Sequence, residues 1–163
     1  MLFIGINPHY GSYRRGVPFS NNKMFWYLLN RAGLIREDIK DLKDDDKLKL
    51  IYKNKFNKIY GLGLVNVINR PTHDITQLKK GEEKSGRERI KKVVKAWRPK
   101  VVCFVGKVAY EKFGGLKIKN FTFGWQDAIC QSKVFVMHFP LHGKANVRVK
   151  ELVEVARAAH LID

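Results

Sequence analysis

The sequence predicts an α/β fold built on a mainly parallel β-sheet that helices cover on both faces. Three short segments carry this prediction because they are almost continuously apolar, as buried strands are: residues 2–6, 101–105 and 133–137. Segments with helical periodicity alternate with them along the chain, which is typical of parallel β-α units. The length of 163 residues suits one domain with a single continuous core.

The first strand ends at Asn7-Pro8, and the rest of the chain is organised around this strand end. Ligands of open α/β sheets bind at the carboxyl ends of the strands, where loops and helix amino termini converge. Asn7 therefore either closes a simple Asx turn or holds a water molecule or the edge of a base. Residues 10–16 form a polar segment that we predict to be a loop. Phe19 follows this segment, and its ring could lie near the strand end as a stacking surface.

The next segments are predicted to be helical. Apolar side chains recur at helical spacing from residue 24 to residue 32, and Gly33 fits the position after the last turn. Suitable caps before them are Ser20, Asn21 and Asn22. Residues 36–60 are highly charged, so we predict one short helix within a solvated connection and assign it no chemistry.

A further buried strand is predicted at residues 64–68, where one polar residue, Asn66, interrupts an apolar run. A buried amide without hydrogen-bond partners costs about 1–3 kcal/mol, so this side chain requires a partner. The partner is either the protein backbone, which would make Asn66 a structural residue, or a bound ligand.

The clearest amphipathic helix covers residues 90–97, with apolar side chains at i, i+3, i+4 and i+7. A capping-box pattern at Ser85–Glu88 precedes it, and Pro99 ends it. Its outer face is basic, and such a face is either only solvated or in contact with a polyanion. Further helices are predicted at residues 108–113 and around residues 152–159.

The charge balance favours a nucleic-acid partner. The chain has 32 Lys and Arg against 15 Asp and Glu, a formal charge of +17. Such an excess points to a polyanion, although ribosomal and chromatin proteins share it. No run of 18 apolar residues is present, so neither a transmembrane helix nor a membrane partner is expected. Because the chain starts directly on a strand, we expect no signal peptide.

Cysteine usage indicates a reducing, intracellular compartment. Cys103 and Cys130 are the only cysteines, and no CxxC pair is present. This argues against a zinc ribbon or a four-cysteine iron–sulfur cluster, so we expect no metal and no cofactor. The expected location is the cytoplasm of a prokaryote or the nucleus of a eukaryote.

Several motifs, taken in chain order, resemble the uracil-DNA glycosylase superfamily. They are Gly5-Ile6-Asn7-Pro8, Pro18-Phe19, the helix beginning at Met24-Phe25-Trp26, Asn66 followed by Arg70-Pro71-Thr72, and the segment 117–124. Within the superfamily, the chain is most similar to the mismatch-specific uracil/thymine-DNA glycosylase branch. The resemblance implies a three-layer αβα single domain over residues 1–163, with the loops after the first, second and last strands on one rim.

The resemblance also implies roles for the residues on that rim. Phe19 would stack on an extruded base, Asn66 would hydrogen-bond the edge of the base, and Asn7 would position the attacking water. Asn7 is a neutral amide and cannot act as a strong general base. His9 stands where the mismatch branch has glycine, so its ring either crowds carbon 5 of a flipped pyrimidine or turns outward to solvent.

The last motif, residues 138–146, departs most from the family, because the polar residue before proline is absent. By analogy, His142 would donate a hydrogen bond to the departing base, with His138 as the second choice. A surface or strand-end role is the alternative for both. Lys144 would either fill the gap left by the flipped base or bind phosphate.

The other candidate contacts to DNA phosphates are Arg14, Arg15, Lys117 and Lys119. The two lysines alternate along the chain, which fits a phosphate-binding track and an exposed strand equally well.

Two functional hypotheses follow. The first is a monofunctional DNA glycosylase that hydrolytically removes uracil, mainly from G·U mismatches in double-stranded DNA, with single-stranded DNA as a second substrate form. No lysine matches a catalytic nucleophile of the family, so no lyase activity is expected. The alternative is a basic nucleic-acid-binding module of the same fold without turnover. We expect a monomer.

Overall fold

The computed structural model describes residues 1–163 and contains a five-stranded β-sheet with helices on both faces. The strands are β1 (Leu2–Gly5), β2 (Gly63–Asn66), β3 (Val101–Val105), β4 (Gly124–Ile129) and β5 (Ser132–Met137). Their order across the sheet is β2-β1-β3-β5-β4, and every pairing is parallel except that of β4 with β5. The predicted three-layer α/β domain with a mainly parallel sheet is confirmed.

Seven α-helices connect and cover the strands. They are α1 (Tyr10–Arg15), α2 (Met24–Arg31), α3 (Ile39–Lys43), α4 (Asp45–Ile51), α5 (Glu83–Trp97), α6 (Lys107–Gly114) and α7 (Ala145–Ala158). A π-helical turn at Tyr52–Phe56 extends α4, and a 3-10 turn covers Ile75–Gln77. None of the helices is both long enough and apolar enough to cross a bilayer.

The sheet separates two hydrophobic clusters, because side chains alternate between its faces along each strand. Phe3, Cys103 and Phe135 point to one face, where they pack with residues of α2, α4 and α7. Ile4 and Phe104 point to the other face and pack with α5 and α6. Central strands that are buried on both faces have continuously apolar sequences, which is why they were recognisable.

The parallel register brings the loops after β1 and β2 together. Gly5 lies beside Asn66 in the pairing of β1 with β2. Beyond the strands, the backbone N–H of Thr72 donates to the carbonyl of Pro8 at 3.1 Å, and the N–H of Tyr10 donates to the carbonyl of Thr72 at 3.0 Å. The two loops therefore form one continuous wall at the carboxyl edge of the sheet.

The prediction of a loop at residues 10–16 is wrong, because this segment forms α1. His9 caps the helix through its Nδ1, which accepts a hydrogen bond from the N–H of Gly11 at 2.9 Å. Gly16 ends the helix in the left-handed region, with φ of 69°. Only Ser12 is buried, so the sequence offers no apolar stripe from which the helix could be recognised.

The charged segment 36–60 also contains more helix than predicted. It contains α3, α4 and the π-helical turn. Its buried apolar side chains belong to Leu42, Leu48, Ile51 and Phe56. Because lysines and aspartates fill the positions between them, the helical period is hard to see, and the prediction of one short helix in a solvated connection is wrong.

Helix α5 begins earlier than the capping-box pattern indicates. It starts at Glu83, so Ser85 lies inside the helix and does not cap it. Gly86 allows α5 to pack closely on the chain after β2, since a Cβ at this position would collide with the carbonyl of Val67.

The lysine-containing segment 117–123 forms no strand, and β4 begins only at Gly124. The exposed-strand interpretation of the alternating lysines is therefore wrong.

Candidate active site

A cavity of about 240 Å³ opens at the carboxyl ends of β1 and β2. It lies where ligands bind in open α/β sheets. The residues that line it are Ile6, Asn7, Pro8, His9, Ser12, Pro18, Phe19, Asn21, Asn22, Phe25, Asn66, Thr72, His73, Asp74, Ile75, Val105, Phe139, Pro140 and Leu141. The structure thus brings together four of the predicted site residues, Asn7, His9, Phe19 and Asn66.

The amide of Asn7 is held in one orientation. Its Nδ2 donates to the backbone carbonyl of Arg70 at 3.1 Å and to Oγ1 of Thr72 at 2.9 Å. A third, longer contact of 3.3 Å goes to the carbonyl of Pro8. Carbonyl oxygens can only accept hydrogen bonds, so they identify the amide nitrogen and leave Oδ1 as the free end. This oxygen receives no hydrogen bond from the protein and can accept one from a water molecule.

Asn66 presents an unpaired amide to the same cavity. Its backbone carbonyl accepts a hydrogen bond from Arg89 at 2.7 Å, but its half-buried side chain makes none within the protein. The side chain lies directly over β1, since a Cβ on Gly5 would come within 2.5 Å of its Oδ1. A structural role for Asn66 would require a hydrogen bond from its side chain to the protein backbone, and no such bond is present. The amide offers one donor and one acceptor to a ligand.

Phe19 forms an aromatic side of the cavity and has a strained backbone. Its φ of 55° lies in the left-handed region, which a bulky residue rarely adopts. The ring packs against Phe25 with centroids 4.5 Å apart. Neighbouring hydrogen bonds hold the segment: Trp26 Nε1 donates to the carbonyl of Pro18 at 2.8 Å, and the N–H of Ser20 donates to Ser12 Oγ at 3.1 Å. Strain of this kind persists where the surroundings fix it, often at functional sites.

The cap of α1 fixes the ring of His9. Because Nδ1 accepts the N–H of Gly11, the neutral ring carries its proton on Nε2. His9 is half-buried and lines the cavity together with His73, whose ring centroid lies 5.7 Å away. The imidazole is thus a wall of the cavity.

The last motif contributes to the cavity through residues other than those predicted. Phe139, Pro140 and Leu141 line the cavity, and Leu141 is 50% exposed. His142 is exposed and is not among the lining residues.

The second histidine of this motif, His138, also lies outside the cavity. Its Nδ1 is 2.6 Å from Oε1 of Glu151 on α7, and its ring stacks on Phe123 at 3.7 Å. The ring of His138 is therefore held by Glu151 and Phe123 and does not line the cavity.

The predicted phosphate contacts are all outside the cavity. Arg14, Lys117, Lys119 and Lys144 are exposed, whereas Arg15 lies 3.5 Å from the carboxylate of Asp45. No group of three or more His, Cys, Asp or Glu side chains is placed to hold a metal ion.

Residues 72–75 form a wall of the cavity that the sequence did not predict. A bidentate ion pair closes the loop that carries it: Arg70 Nε lies 2.6 Å from Glu82 Oε1, and Nη2 lies 2.8 Å from Oε2. Arg70, followed by the N–H of Lys79, lowers the pKa of Glu82 to about 2. The only signal in the sequence is the Arg70-Pro71-Thr72 motif itself, because nothing there marks Glu82 as its partner.

A three-layer α/β domain with an amide-lined cavity at its strand ends belongs to the large class of α/β proteins that bind a ligand at this edge. A family comparison narrows the class, since the model of the Uracil DNA glycosylase superfamily matches residues 1–153. The chain therefore belongs to the uracil-DNA glycosylase superfamily. Its general function is that of a uracil-DNA glycosylase, a DNA-repair hydrolase, and its partner is DNA.

Proposed function

We propose that the protein is a monofunctional glycosylase that extrudes uracil from G·U mismatches and hydrolyses its N-glycosidic bond, within the single domain of residues 1–163. One observation carries the proposal: Asn7, whose Oδ1 accepts no hydrogen bond from the protein, and Asn66, whose side chain is unpaired, line one cavity beside the ring of Phe19. This arrangement supplies a water-binding oxygen, a base-reading amide and a stacking surface.

The mismatch preference follows from the cost of extruding the base. A duplex hides the bond to be cleaved, so the nucleotide must leave the helix at a cost of about a few kcal/mol. The cost is lower at a wobble pair than at a Watson–Crick pair, and it is absent in single-stranded DNA. We therefore propose G·U duplexes as the main substrate and single-stranded uracil-DNA as the second.

In the proposed reaction, Phe19 stacks on the extruded uracil and Asn66 hydrogen-bonds its edge. Uracil presents carbonyl oxygens and an N–H, which match the acceptor and donor of one amide. The bond between C1′ and N1 breaks, and its electron pair stays on N1 of the departing base. The water held by Asn7 Oδ1 bonds to C1′ and releases a proton to solvent, and N1 of the departed uracil anion takes up a proton from solvent, which leaves free uracil and an abasic site.

The neutral amide of Asn7 positions the water but cannot remove its proton as a strong base. The bond between C1′ and N1 must therefore break before the water attacks. Hydrogen-bond donors that stabilise the uracil anion then contribute most to the rate. We assign this role first to the Nδ2–H of Asn66, whose unpaired side chain lines the cavity. His142 would reach the base only after a movement of the turn that carries it.

The gap left by the extruded base also needs an occupant. Leu141 combines exposure with a place in the cavity lining, whereas Lys144 lies outside it. Leucine is apolar and suits a stacked base pair better than a hydrated ammonium does. We therefore propose Leu141 as the residue that fills the gap and Lys144 as a phosphate contact.

No lysine lines the cavity, which supports hydrolysis over an amine-catalysed lyase reaction. The deciding experiment uses a labelled duplex with one G·U pair, incubated with the protein and then heated in alkali. Breakage at the uracil only after alkali supports a monofunctional glycosylase. Binding without breakage supports the nucleic-acid-binding module, and breakage before alkali contradicts the monofunctional assignment.

Replacing Phe19 with alanine should slow base release by about 5- to 150-fold, because base–aromatic stacking is worth about 1–3 kcal/mol. Duplex affinity should change much less, since phosphate contacts supply most of it. Single-turnover rates and binding to an uncleavable duplex separate the two effects. Phe19→Tyr, which keeps a ring, is the control and should retain most of the activity. An unchanged rate for Phe19→Ala would show that the ring only fills space.

Affinity for duplex DNA should fall steeply with salt. A protein that neutralises about five phosphates gives a slope of about −4.5 for the logarithm of affinity against the logarithm of salt concentration. If Lys117 and Lys119 contact phosphate, replacing both with alanine should reduce the magnitude of the slope by about 1.8. A slope near zero for the wild type would contradict phosphate-driven binding.

A further inference from the structure

We propose that Arg70 and Glu82 form a positioning pair that fixes the amide of Asn7 and the adjoining wall of the cavity. The inference rests on the proposed function and adds two residues that do not touch the substrate. Both lie outside the cavity lining.

The pair anchors a loop to a rigid helix. Two parallel N–H to carboxylate hydrogen bonds join Arg70 to Glu82, at 2.6 and 2.8 Å. The same guanidinium donates to the carbonyl of Gln77 at 2.9 Å. Glu82 immediately precedes α5, whose Ile90 and Val94 are fully buried in the core. Such fork-to-fork geometry fixes direction as well as distance.

The loop carries the groups that orient Asn7. The backbone carbonyl of Arg70 accepts one hydrogen bond from Asn7 Nδ2, at 3.1 Å. Two residues later, Oγ1 of Thr72 accepts another, at 2.9 Å. The side chain of Arg70 therefore connects the start of α5 to the amide, and through the amide to the oxygen that faces the cavity.

The pair serves to position the loop rather than to stabilise the whole fold. Arg70 is 42% and Glu82 21% exposed, and ion pairs of this exposure contribute little to the free energy of unfolding. The arginine is also a poor candidate for phosphate binding, because its guanidinium is already engaged by a carboxylate and a carbonyl. Its partner remains ionised throughout the neutral range, since the pKa of Glu82 is lowered to about 2.

The test compares Arg70→Ala and Glu82→Ala on the G·U duplex. Both variants should lower the single-turnover rate of uracil release by about 10- to 100-fold, the scale expected for a misplaced catalytic group. Affinity for an uncleavable duplex should stay within about threefold of wild type, and Tm within about 3 °C. In the free protein, amide hydrogen exchange across residues 70–82 should become faster in both variants.

The two variants must behave alike for the proposal to hold. If Arg70 instead contacted phosphate, Arg70→Ala would weaken DNA binding while Glu82→Ala would strengthen it and keep the wild-type rate, which would overturn the proposal. The charge-swapped double variant, Arg70→Glu with Glu82→Arg, should recover part of the lost rate. Glu88→Ala is the matched control: it breaks an exposed pair with Lys91 on α5 and should leave rate and exchange unchanged.

Failure of the proposed function would look different. A wild-type protein that releases no uracil would contradict the glycosylase assignment, while the exchange measurement would still report on the pair. Unchanged exchange in both alanine variants would overturn the positioning role whatever the activity.

Discussion

Replacing Asn7 with alanine should lower the rate of uracil release by more than about 100-fold while folding and DNA binding stay largely intact, the scale expected when a positioning or transition-state group is lost. The reason lies in the fixed amide. Arg70 and Thr72 hold its nitrogen, so that its oxygen is the free end of the side chain in the cavity. Alanine would remove the group that orients the water and would leave the rest of the cavity in place.

Single-turnover release of uracil from a G·U duplex measures this effect, with binding to an uncleavable duplex measured in parallel. Asn69→Ala is a suitable control, because Asn69 is exposed on the adjoining loop after β2 and does not line the cavity. Wild-type excision by Asn7→Ala would mean that Asn7 is only a turn residue.

Replacing His9 with glycine should create activity on thymine. The imidazole lines the cavity and is held there by the N–H of Gly11, so we expect it to occupy the space beside carbon 5 of the base. A methyl group that has no room is rejected more firmly than one left without contacts. The wild type should therefore process G·U and act barely or not at all on G·T. His9→Gly should raise the G·T rate at least about tenfold and keep uracil release.

His9→Gly also removes a helix cap, because the side chain of His9 caps α1. Glycine at an N-cap costs only about a few tenths of a kcal/mol relative to good capping residues, so the helix should survive. His9→Ser restores a capping oxygen and is much smaller than histidine, and it should gain thymine release as well. Equal wild-type rates on G·T and G·U would contradict the steric role of His9.

The sequence allowed prediction of the central strands but not of every element. Buried parallel strands have continuous apolar runs that can be recognised locally. By contrast, β4 is an edge strand that alternates between exposed and half-buried positions, and its pairing with β5 is interrupted between Gln126 and Ile129. Such a strand is defined by its neighbour rather than by its own composition.

At the candidate site, the resemblance to the family, rather than the pattern of elements, placed Asn7, Phe19 and Asn66 on one rim, and in the structure all three line the cavity. The wall at residues 72–75 was not predictable, since its position depends on a contact between Arg70 and Glu82 over 12 residues of chain. In the last motif, the conformation of a turn decides which side chains line the cavity, and analogy with the family pointed to His142, whereas Leu141 lines the cavity.

Phe19 shows where heat resistance and catalysis would be selected in the same direction. A glycine at position 19 would adopt a φ of 55° without the strain that a bulky residue carries there, about 1–2 kcal/mol. It would also remove the ring that stacks on the base in the proposed reaction. Because the ring packs on Phe25, its loss should cost more stability than the relieved strain returns, so a laboratory screen for thermostable variants should retain an aromatic residue at this position. Directed evolution of this protein should hold position 19 fixed.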